Sequence, residues 1–204
     1  GEEAPASTRP PSGRTTARLR ILMIASEAQP FSKTGGLADV AAALPKALGR
    51  LGHDVTLITP RYRGVTEGLV VGTVSVEVAA HRYDGRLRED ASTFGKPTAD
   101  KSAGQAASKV RVLLLDCPEL YDRDGIYYNA RGDFPDNAVR YAFLSAAAID
   151  WASQQSPPFD IIHAHDWQGG LAPYYASALA VRTVRTVRRV PTVLTIHNLA
   201  YQGL

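Results

Sequence analysis

Short apolar runs alternate with segments of helical periodicity, and this alternation constrains the fold more than any other feature of the sequence. The run RILMIAS (20–26) has the length and composition of a buried strand. The segment GLADVAAALPKALGRLG (36–52) spaces its apolar residues as a helix does and ends in Gly52, a residue type typical of helix C-termini. The run DVTLITP (54–60) is a second buried strand. Residues 20–60 therefore predict a β-α-β unit.

The alternation resumes after a segment of different character. Residues 69–85, LVVGTVSVEVAAHRYDG, alternate in part and predict a hairpin with its turn at Asp84-Gly85, and the polar stretch 89–109 predicts a mobile surface loop. Further strands are predicted at 110–116, 159–166 and 191–198, and helices at 136–153 and 168–182. Strands that alternate with helices indicate an α/β fold, a Rossmann-like parallel sheet with helices on both faces. The strand spacings are too uneven for an internal repeat.

The composition is that of a globular domain and does not favour nucleic acid as a partner. The 204 residues are 45% hydrophobic, enough to bury a substantial core. Arginines of the N-terminal tail and of VRTVRTVRR (181–189) supply much of the formal charge of +3; the second group is expected to form a solvated helix end, with an anionic partner as the less favoured alternative. Residues 1–19 contain three prolines and few large apolar side chains, which predicts a flexible tail before a domain at 20–204.

Location and redox chemistry are indicated by two absences in the sequence. No apolar run reaches the ~18 residues of a membrane-spanning helix, and the N-terminus lacks the apolar core of a secretory signal. We therefore expect a cytoplasmic protein, or a plastid one if the source is a plant or alga, without a membrane partner. Cys117 is the single cysteine, which excludes an intrachain disulfide and indicates a buried thiol.

The segment PFSKTGGLADV (30–40) lies where the first predicted strand turns into the first helix. Ligands of open α/β sheets bind at this carboxyl edge. Gly35 and Gly36 let a ligand approach the backbone, the helix N-terminus attracts negative charge and Lys33 adds a cation, which together indicate a phosphate site. The glycine spacing is neither the dinucleotide fingerprint nor a Walker loop. The structural alternative is a tight turn with a solvated Lys33, in which Asp39 offsets the helix dipole.

Histidines occur at the ends of two later strands. HAHDWQGG places His163 and His165 on the same side of an extended strand, and TIHNLAYQG places His197 and Asn198 at the end of the last strand. The three segments are thus predicted to converge on one edge of the sheet. We expect His165 near the ligand and His163 one pleat deeper, held by core hydrogen bonds, while a structural role for each single histidine stays open.

Three motifs give the sequence a specific family resemblance. KTGGLADVAAALPKALGRLGHDVTLITPRYR, HAHDWQGGLAPYY and TIHNLAYQG, in this order, closely resemble the N-terminal domain of bacterial glycogen synthases and plant starch synthases. The resemblance runs from about Arg20 to Leu204, with a divergent middle at roughly 65–115. It implies a GT-B enzyme that transfers glucose, with retention of configuration, from a nucleotide sugar to the non-reducing 4-hydroxyl of an α-1,4-glucan. Bacterial and plastidial members of the family favour ADP-glucose as the donor, which we therefore expect here, although the choice between ADP-glucose and UDP-glucose depends largely on base contacts from the C-terminal domain of the family. The resemblance implies neither a metal nor another cofactor.

The same resemblance implies roles for individual residues. Lys33, the lysine of the K-T-G-G-L motif, contacts the sugar nucleotide, and Gly35 and Gly36 approach its diphosphate and sugar. His165 lies against the transferred glucose, where an imidazole can orient a hydroxyl and help to stabilise developing charge. Asp39 lies near His165 in the cleft. These five residues are the main candidates for catalysis and donor binding.

Other residues of the family pattern carry weaker expectations. Asn198 is assigned to substrate binding. Asp136 and Asn137 match the pattern, but a helix N-terminus explains them equally well. Tyr127 and Tyr128 either line the acceptor side or pack internally.

The chain ends at Leu204, whereas the family it resembles continues through the rest of this domain and a C-terminal domain that supplies most nucleotide contacts. We therefore expect that the chain carries half of a site, with the missing C-terminal domain as its partner. One alternative is an inactive glucan- or nucleotide-binding fragment. The other is a zinc hydrolase that uses His163, His165 and His197, because an H-x-H pair can chelate a metal.

Overall fold

The computed structural model describes residues 17–65, 68–89, 109–182 and 190–202. Most of the predicted N-terminal tail and of the polar loop at 89–109 therefore lies outside the described residues, as does most of the arginine-rich segment at 181–189. In the described part of the chain, no helix combines the length and the apolar character needed to cross a membrane.

A seven-stranded sheet with flanking helices forms the described structure. The sheet strands are β1 (Arg20–Ile24), β2 (Asp54–Pro60), β3 (Leu69–Val78), β4 (His81–Glu89), β5 (Val110–Asp116), β8 (Ile161–His165) and β9 (Thr192–Thr195). A separate two-stranded ribbon consists of β6 (Tyr128–Asn129) and β7 (Gly132–Asp133). The helices are α1 (Gly36–Arg50), α2 (Pro118–Tyr121), α3 (Asn137–Ser153), α4 (Asp166–Gly169) and α5 (Ala172–Arg182).

The strand order is β3-β4-β5-β2-β1-β8-β9. Five neighbouring strands of this order, β5-β2-β1-β8-β9, pair in parallel, which confirms the predicted Rossmann-like α/β class. The hairpin β3-β4 extends this sheet, because β4 pairs antiparallel with β5. The sheet is therefore mixed, with an antiparallel edge that the sequence indicated only as an excursion from the parallel pattern.

Successive residues of the central strands face two separate hydrophobic cores. Leu22 and Ile24 of β1 pack in the core that contains most of α3. Ile21 and Met23 pack in the other core, together with Leu37 of α1. Helices thus cover both faces of the sheet, as predicted, and the continuous apolar run of β1 follows from burial on both sides.

Helix α1 ends where the sequence indicates. Gly52 has a positive φ of 93°, and its amide donates to the carbonyl of Gly49 at 2.9 Å. The His53 amide donates to the carbonyl of Leu48 at 3.1 Å. These two hydrogen bonds form the motif that commonly closes a helix with a left-handed glycine.

Two predicted elements at the far end of the domain differ from the structure. The single helix predicted at 168–182 is divided into α4 and α5, because Gly169 packs closely on the sheet and Pro173 favours a new helix start. The strand predicted at 191–198 ends at Thr195. Beyond it, the His197 amide donates to the Asp166 side chain instead of joining the sheet.

The hairpin turn predicted at Asp84-Gly85 is wrong. Val78 pairs with His81, so the turn consists of Ala79 and Ala80, which have positive φ angles of 51° and 60°. Gly85 lies within β4, and a Cβ atom there would stand 3.1 Å from the Phe143 ring. The glycine is thus required by close packing against α3 and not by a turn.

Replacing Ala79-Ala80 with Asn-Gly should raise the free energy of unfolding by about 1 kcal/mol, since alanine is strained in the left-handed region whereas Asn-Gly favours such two-residue hairpins. Urea denaturation of the 204-residue chain measures the change. Gly85→Ala should instead lower the free energy of unfolding, by roughly 1–3 kcal/mol, through overpacking. If the variant with Asn-Gly in place of Ala79-Ala80 were less stable than the wild type, the assignment of the turn to these two residues would be wrong.

Candidate active site

The three sequence motifs meet at one edge and on one face of the sheet. Strand β1 pairs with β8, which pairs with β9, so their carboxyl ends are neighbours. Ile161 of β8 packs on the core under α1, whereas Ala164 belongs to the core under α3. By strand alternation, His163 and His165 therefore lie on the α1 face, where the loop between β1 and α1 also lies. The predicted convergence of strand ends is confirmed at this level.

Glu27 organises the loop between β1 and α1, and sequence reasoning missed it. Its carboxylate is only 3% exposed. It accepts hydrogen bonds from the amide and the hydroxyl of Thr34, from the Gly35 amide at 3.4 Å and from the Tyr127 hydroxyl at 3.0 Å. A charged residue inside the otherwise apolar run that ends at Ala28 was the available signal, because a buried carboxylate needs donors around it.

Lys33 and Asp39 form an ion pair across the first turn of α1. The Lys33 ammonium lies 2.8 and 2.9 Å from the two carboxylate oxygens, and Gln29 donates to the same carboxylate at 2.7 Å. Both members of the pair are about half exposed. An exposed pair contributes at most about 1 kcal/mol, so an incoming anion can compete for the ammonium at low cost.

The backbone at Gly35 and Gly36 is open to its surroundings. Gly35 precedes α1 in extended conformation, with a φ of −147° that any residue adopts. A Cβ atom added at either glycine would meet no atom within 4 Å. Neither backbone strain nor packing in the described structure therefore requires glycine at these positions. The space beside the helix N-terminus is available to a ligand.

Three imidazoles stack at the ends of β8 and β9. The rings of His163 and His165 lie 4.2 Å apart between centroids, and those of His165 and His197 lie 5.3 Å apart. Nδ1 of His165 is hydrogen-bonded to Nε2 of His197 at 3.0 Å, and Nε2 of His163 to the Thr195 hydroxyl at 2.7 Å. The predicted histidine cluster is thus present.

The relative depth predicted for the two histidines of β8 is wrong. His165 is completely buried, whereas His163 is only partly buried. Burial, together with the neighbouring His163 and His197, lowers the pKa of His165 to about 3. His165 is therefore neutral near pH 7, and its Nε2 atom is buried without a hydrogen-bond partner among the described residues. The prediction failed because the packing of the His197 ring on His165 cannot be read from strand alternation.

The segment after β9 is held by side chains of the same cluster. Asp166 has a positive φ of 53°, uncommon for a residue other than glycine, and its carboxylate accepts the His197 amide at 2.6 Å. This bond places the His197 ring against His165. Asn198 is exposed, and its side chain accepts the amide of Ala200 at 2.9 Å in a local turn. Its assignment to substrate binding stays a prediction.

The two tyrosines expected on the acceptor side differ in environment. Tyr127 is partly buried and hydrogen-bonded to Ser26 as well as to Glu27, whereas Tyr128 is 57% exposed. Asn137 donates to the Tyr127 carbonyl at 2.8 Å, so it fixes the segment that carries both rings. Of the pair, only Tyr128 presents most of its side chain to solvent.

Two further sequence expectations are decided by the structure. Asp136 precedes α3, but its carboxylate makes no cap to the helix and pairs with Arg123 at 2.6 and 2.7 Å, which lowers its pKa. The role of Asp136 in this structure is therefore an ion pair at the helix start. Cys117 is 2% exposed, and burial raises its pKa to about 11. The predicted buried thiol is confirmed.

Metal chemistry gains no support from the cluster geometry. Among residues 17–65, 68–89, 109–182 and 190–202, no group of three or more His, Cys, Asp or Glu side chains is arranged to hold a metal ion. A cavity of about 680 Å³ lies elsewhere, along the hairpin β3-β4 and α3, and none of the candidate site residues lines it. The carboxyl edge of β1 and β8 thus remains the candidate site.

The fold is a Rossmann-like α/β domain in which the three sequence motifs meet at one edge of the sheet. The family described as starch synthase catalytic domain matches residues 20–204. The chain belongs to this family of glycosyltransferases, which confirms the resemblance found in the three motifs.

Individual relatives agree with the family match. The chain is 39% identical over 193 residues to glycogen synthase 2 of Geobacter sulfurreducens and 41% identical over 189 residues to the glycogen synthase of Myxococcus xanthus. Each match covers 91% of this chain and 36% of the relative. The solved catalytic domain of starch synthase IV from Arabidopsis thaliana, bound to ADP and acarbose, is similar with a TM-score of 0.65 and 27% identity, over 92% of this chain and 35% of that one. The chain thus spans about a third of the length of these relatives.

The neutral state of His165 makes stability depend on pH. Below its ordinary pKa of 6.5, the unfolded chain binds a proton that the folded chain excludes until about pH 3. Packing of the neutral His165 therefore contributes fully to the free energy of unfolding above pH 6.5. As the pH falls below 6.5, this contribution decreases by up to about 1.4 kcal/mol per pH unit. Urea denaturation between pH 7.5 and 5 should show a shallower pH dependence for His165→Gln than for the wild type.

His81→Gln is the control for this measurement, because His81 is exposed on the hairpin. Its slope shows how much of the change follows from the loss of one exposed imidazole. Equal slopes for His165→Gln and the wild type would contradict a neutral, buried His165.

Proposed function

We propose that the chain forms one wall of the active site of a retaining glucosyltransferase, which transfers glucose from ADP-glucose to the non-reducing 4-hydroxyl of an α-1,4-glucan. Family membership supports the reaction class, and the relatives, about three times longer, support a site shared with further structure. The remaining part of such an enzyme would supply a C-terminal domain that completes the nucleotide pocket. Donor and acceptor are therefore partners of this chain at an incomplete cleft.

The observation that carries the proposal is the unfilled space at Gly35 and Gly36. Both glycines stand at the N-terminus of α1, where unpaired amides and the helix dipole favour a phosphate. Lys33 lies beside them, and among the described residues its ammonium is held by an exposed ion pair with Asp39. A diphosphate can exchange with Asp39 for the ammonium while its oxygens approach the glycine backbone. The same exchange would free Asp39 to accept a hydrogen bond from a sugar hydroxyl.

His165 is assigned to the transferred glucose as a neutral group. A neutral imidazole can donate one hydrogen bond and accept another, so it can orient a sugar hydroxyl but cannot supply a positive charge. Charge that develops as the bond between glucose and phosphate lengthens would be met by Lys33, by the amides of α1 and by cations outside this chain. Asn198 is proposed to contact the substrate from the neighbouring strand end.

A second candidate is a glucan- or nucleotide-binding module without transfer activity. The coverage of about a third of each relative favours it for the chain in isolation. A nucleotide-binding module would differ from the synthase only in turnover, whereas a glucan-binding module would also lack donor binding at the loop. The zinc hydrolase has no comparable support, because the described histidines form no metal-binding group.

Gly36→Ala should weaken ADP-glucose binding by at least about tenfold while leaving the melting temperature unchanged or raised. The added methyl group enters space reserved for the ligand, and alanine is the better helix former by up to about 1 kcal/mol. Heteronuclear NMR titration of the 204-residue chain measures the affinity, and thermal denaturation measures the stability.

Matched variants distinguish the ligand effect from a structural one. Lys33→Ala should also weaken binding without destabilising the fold, because its ion pair is exposed. Gly85→Ala should destabilise the fold but leave the affinity of the folded chain unchanged. If Gly36→Ala bound ADP-glucose as tightly as the wild type, the assignment of this loop to the donor would be wrong.

The chain by itself should show no measurable transfer of radiolabelled glucose from ADP-glucose to glycogen, because a cleft between two domains shares its ligand contacts. Binding without turnover is the expected combination. Turnover close to that of an intact synthase, in a preparation free of contaminating enzyme, would contradict the proposal that the chain provides one wall only.

A further inference from the structure

Glu27 stands between two segments that the fold brings together from distant parts of the sequence. Its carboxylate takes four donor groups, three from Thr34 and Gly35 and one from Tyr127. These partners are neutral, so no cation among them offsets the cost of burying a carboxylate. A purely apolar side chain would fill the same volume at lower cost. What the Glu27 carboxylate provides, and an apolar side chain would not, is a fixed position for the groups that donate to it.

We propose that Glu27 is a positioning residue that fixes the Lys33–Gly36 loop and joins it to the segment carrying Tyr128. This inference rests on the proposed function, since it gives the loop its role in donor binding. By accepting the amides of Thr34 and Gly35, the carboxylate determines the direction in which the chain enters α1. The following amides, from Gly36 onward, are then left for the ligand.

The Tyr127 hydroxyl is the connection to the second segment. Because an ionised carboxylate can only accept, the phenol donates its single proton to Glu27, and the Ser26 hydroxyl donates to the phenol oxygen at 2.7 Å. Burial, with Tyr141 and Glu27 nearby, raises the pKa of Tyr127 far above its ordinary value, so the phenol keeps its proton. Asn137 holds the Tyr127 carbonyl.

The anchoring continues into α3. Arg140 is completely buried and donates to the carbonyl of Ile126 and to the side chain of Asn137. The backbone on both sides of Tyr127 is thus fixed, and displacement at Glu27 cannot be absorbed there. The exposed Tyr128 ring therefore has a defined position relative to the loop at Gly35. The Glu27 carboxylate would thus fix the position of a donor bound at the loop relative to a glucan stacked on Tyr128.

The test uses amide hydrogen exchange and ADP-glucose titration by NMR on the 204-residue chain. Glu27→Gln removes the charge of the group that accepts the amides of Thr34 and Gly35, and charge-assisted hydrogen bonds are roughly twice as strong as neutral ones, so these amides should exchange at least about tenfold faster. Amides of β1 and β2 should keep their rates. The affinity for ADP-glucose should fall at least about tenfold, and Tyr127→Phe should produce a smaller change of the same kind.

Tyr62→Phe is the matched control. The Tyr62 hydroxyl donates to the Ser26 carbonyl at 2.7 Å and lies in the same buried region, but it does not contact Glu27. Its loss should lower the melting temperature without changing exchange at Thr34 and Gly35 or the affinity for ADP-glucose. Adding Tyr127→Phe to Glu27→Gln should cause little further change in loop exchange, because Tyr127 acts on the loop only through the side chain of Glu27.

Each outcome bears on one proposal. Unchanged exchange at Thr34 and Gly35 in Glu27→Gln would overturn the positioning role, whatever the affinity. If Glu27→Gln does not fold, Tyr127→Phe decides, and wild-type exchange in that variant would overturn the link to the Tyr128 segment. A wild-type chain that binds no ADP-glucose would refute the donor assignment of the loop, while the exchange rates would still report whether Glu27 positions it.

Discussion

Burial of β1 on both faces is the constraint from which the site follows. Leu22 and Ile24 enter one core and Ile21 and Met23 the other, so the strand must lie inside the sheet, between β2 and β8. Parallel pairing on both sides then aligns its carboxyl end with those of its neighbours. The loop that follows β1 must therefore begin beside the end of β8. The residues with donor and acceptor groups at the ends of β1 and β8 become neighbours for this reason.

The electrostatic character of this edge is set by pairing and burial. Lys33 carries the positive charge of the loop, but Asp39 balances it, and the buried Glu27 adds a negative charge close by. His165 is neutral because its charged form is disfavoured by burial and by two other imidazoles. For an anion, the proposed site therefore offers mainly backbone amides and one ammonium that can exchange its partner. The diphosphate of the proposed donor would need more positive charge than these groups supply, which is why the proposal includes a cleft completed by further structure.

Periodicity in the sequence was sufficient for the elements that are buried on one or both sides. It predicted β1, α1, β5 and α3 within one or two residues, because their burial is a local property of the sequence pattern. It failed where distant contacts decide. Asp84-Gly85 is a strong turn signal, yet Gly85 is required because the Phe143 ring packs closely against it. Ala79-Ala80, which forms the turn, gives no turn signal in the sequence. The four donors of Glu27 likewise lie 7, 8 and 100 residues away from it in the sequence, a spacing that no sequence pattern indicates.

Glycines at two kinds of position show how the structure separates packing from ligand binding. At Gly85 and Gly169, a Cβ atom would stand 3.1–3.3 Å from neighbouring atoms, so the protein's own interior explains the missing side chain. At Gly35 and Gly36, the surrounding space is open and φ at Gly35 is unremarkable for any residue, so the interior explains nothing. Glycine is well tolerated at Gly35, which precedes the helix, but at Gly36, the first residue of α1, it is a weaker helix former than alanine and gains nothing in packing. In the proposed donor site, a ligand that approaches the backbone would offset this cost, and Glu27 would hold the preceding amides so that the open side faces the ligand.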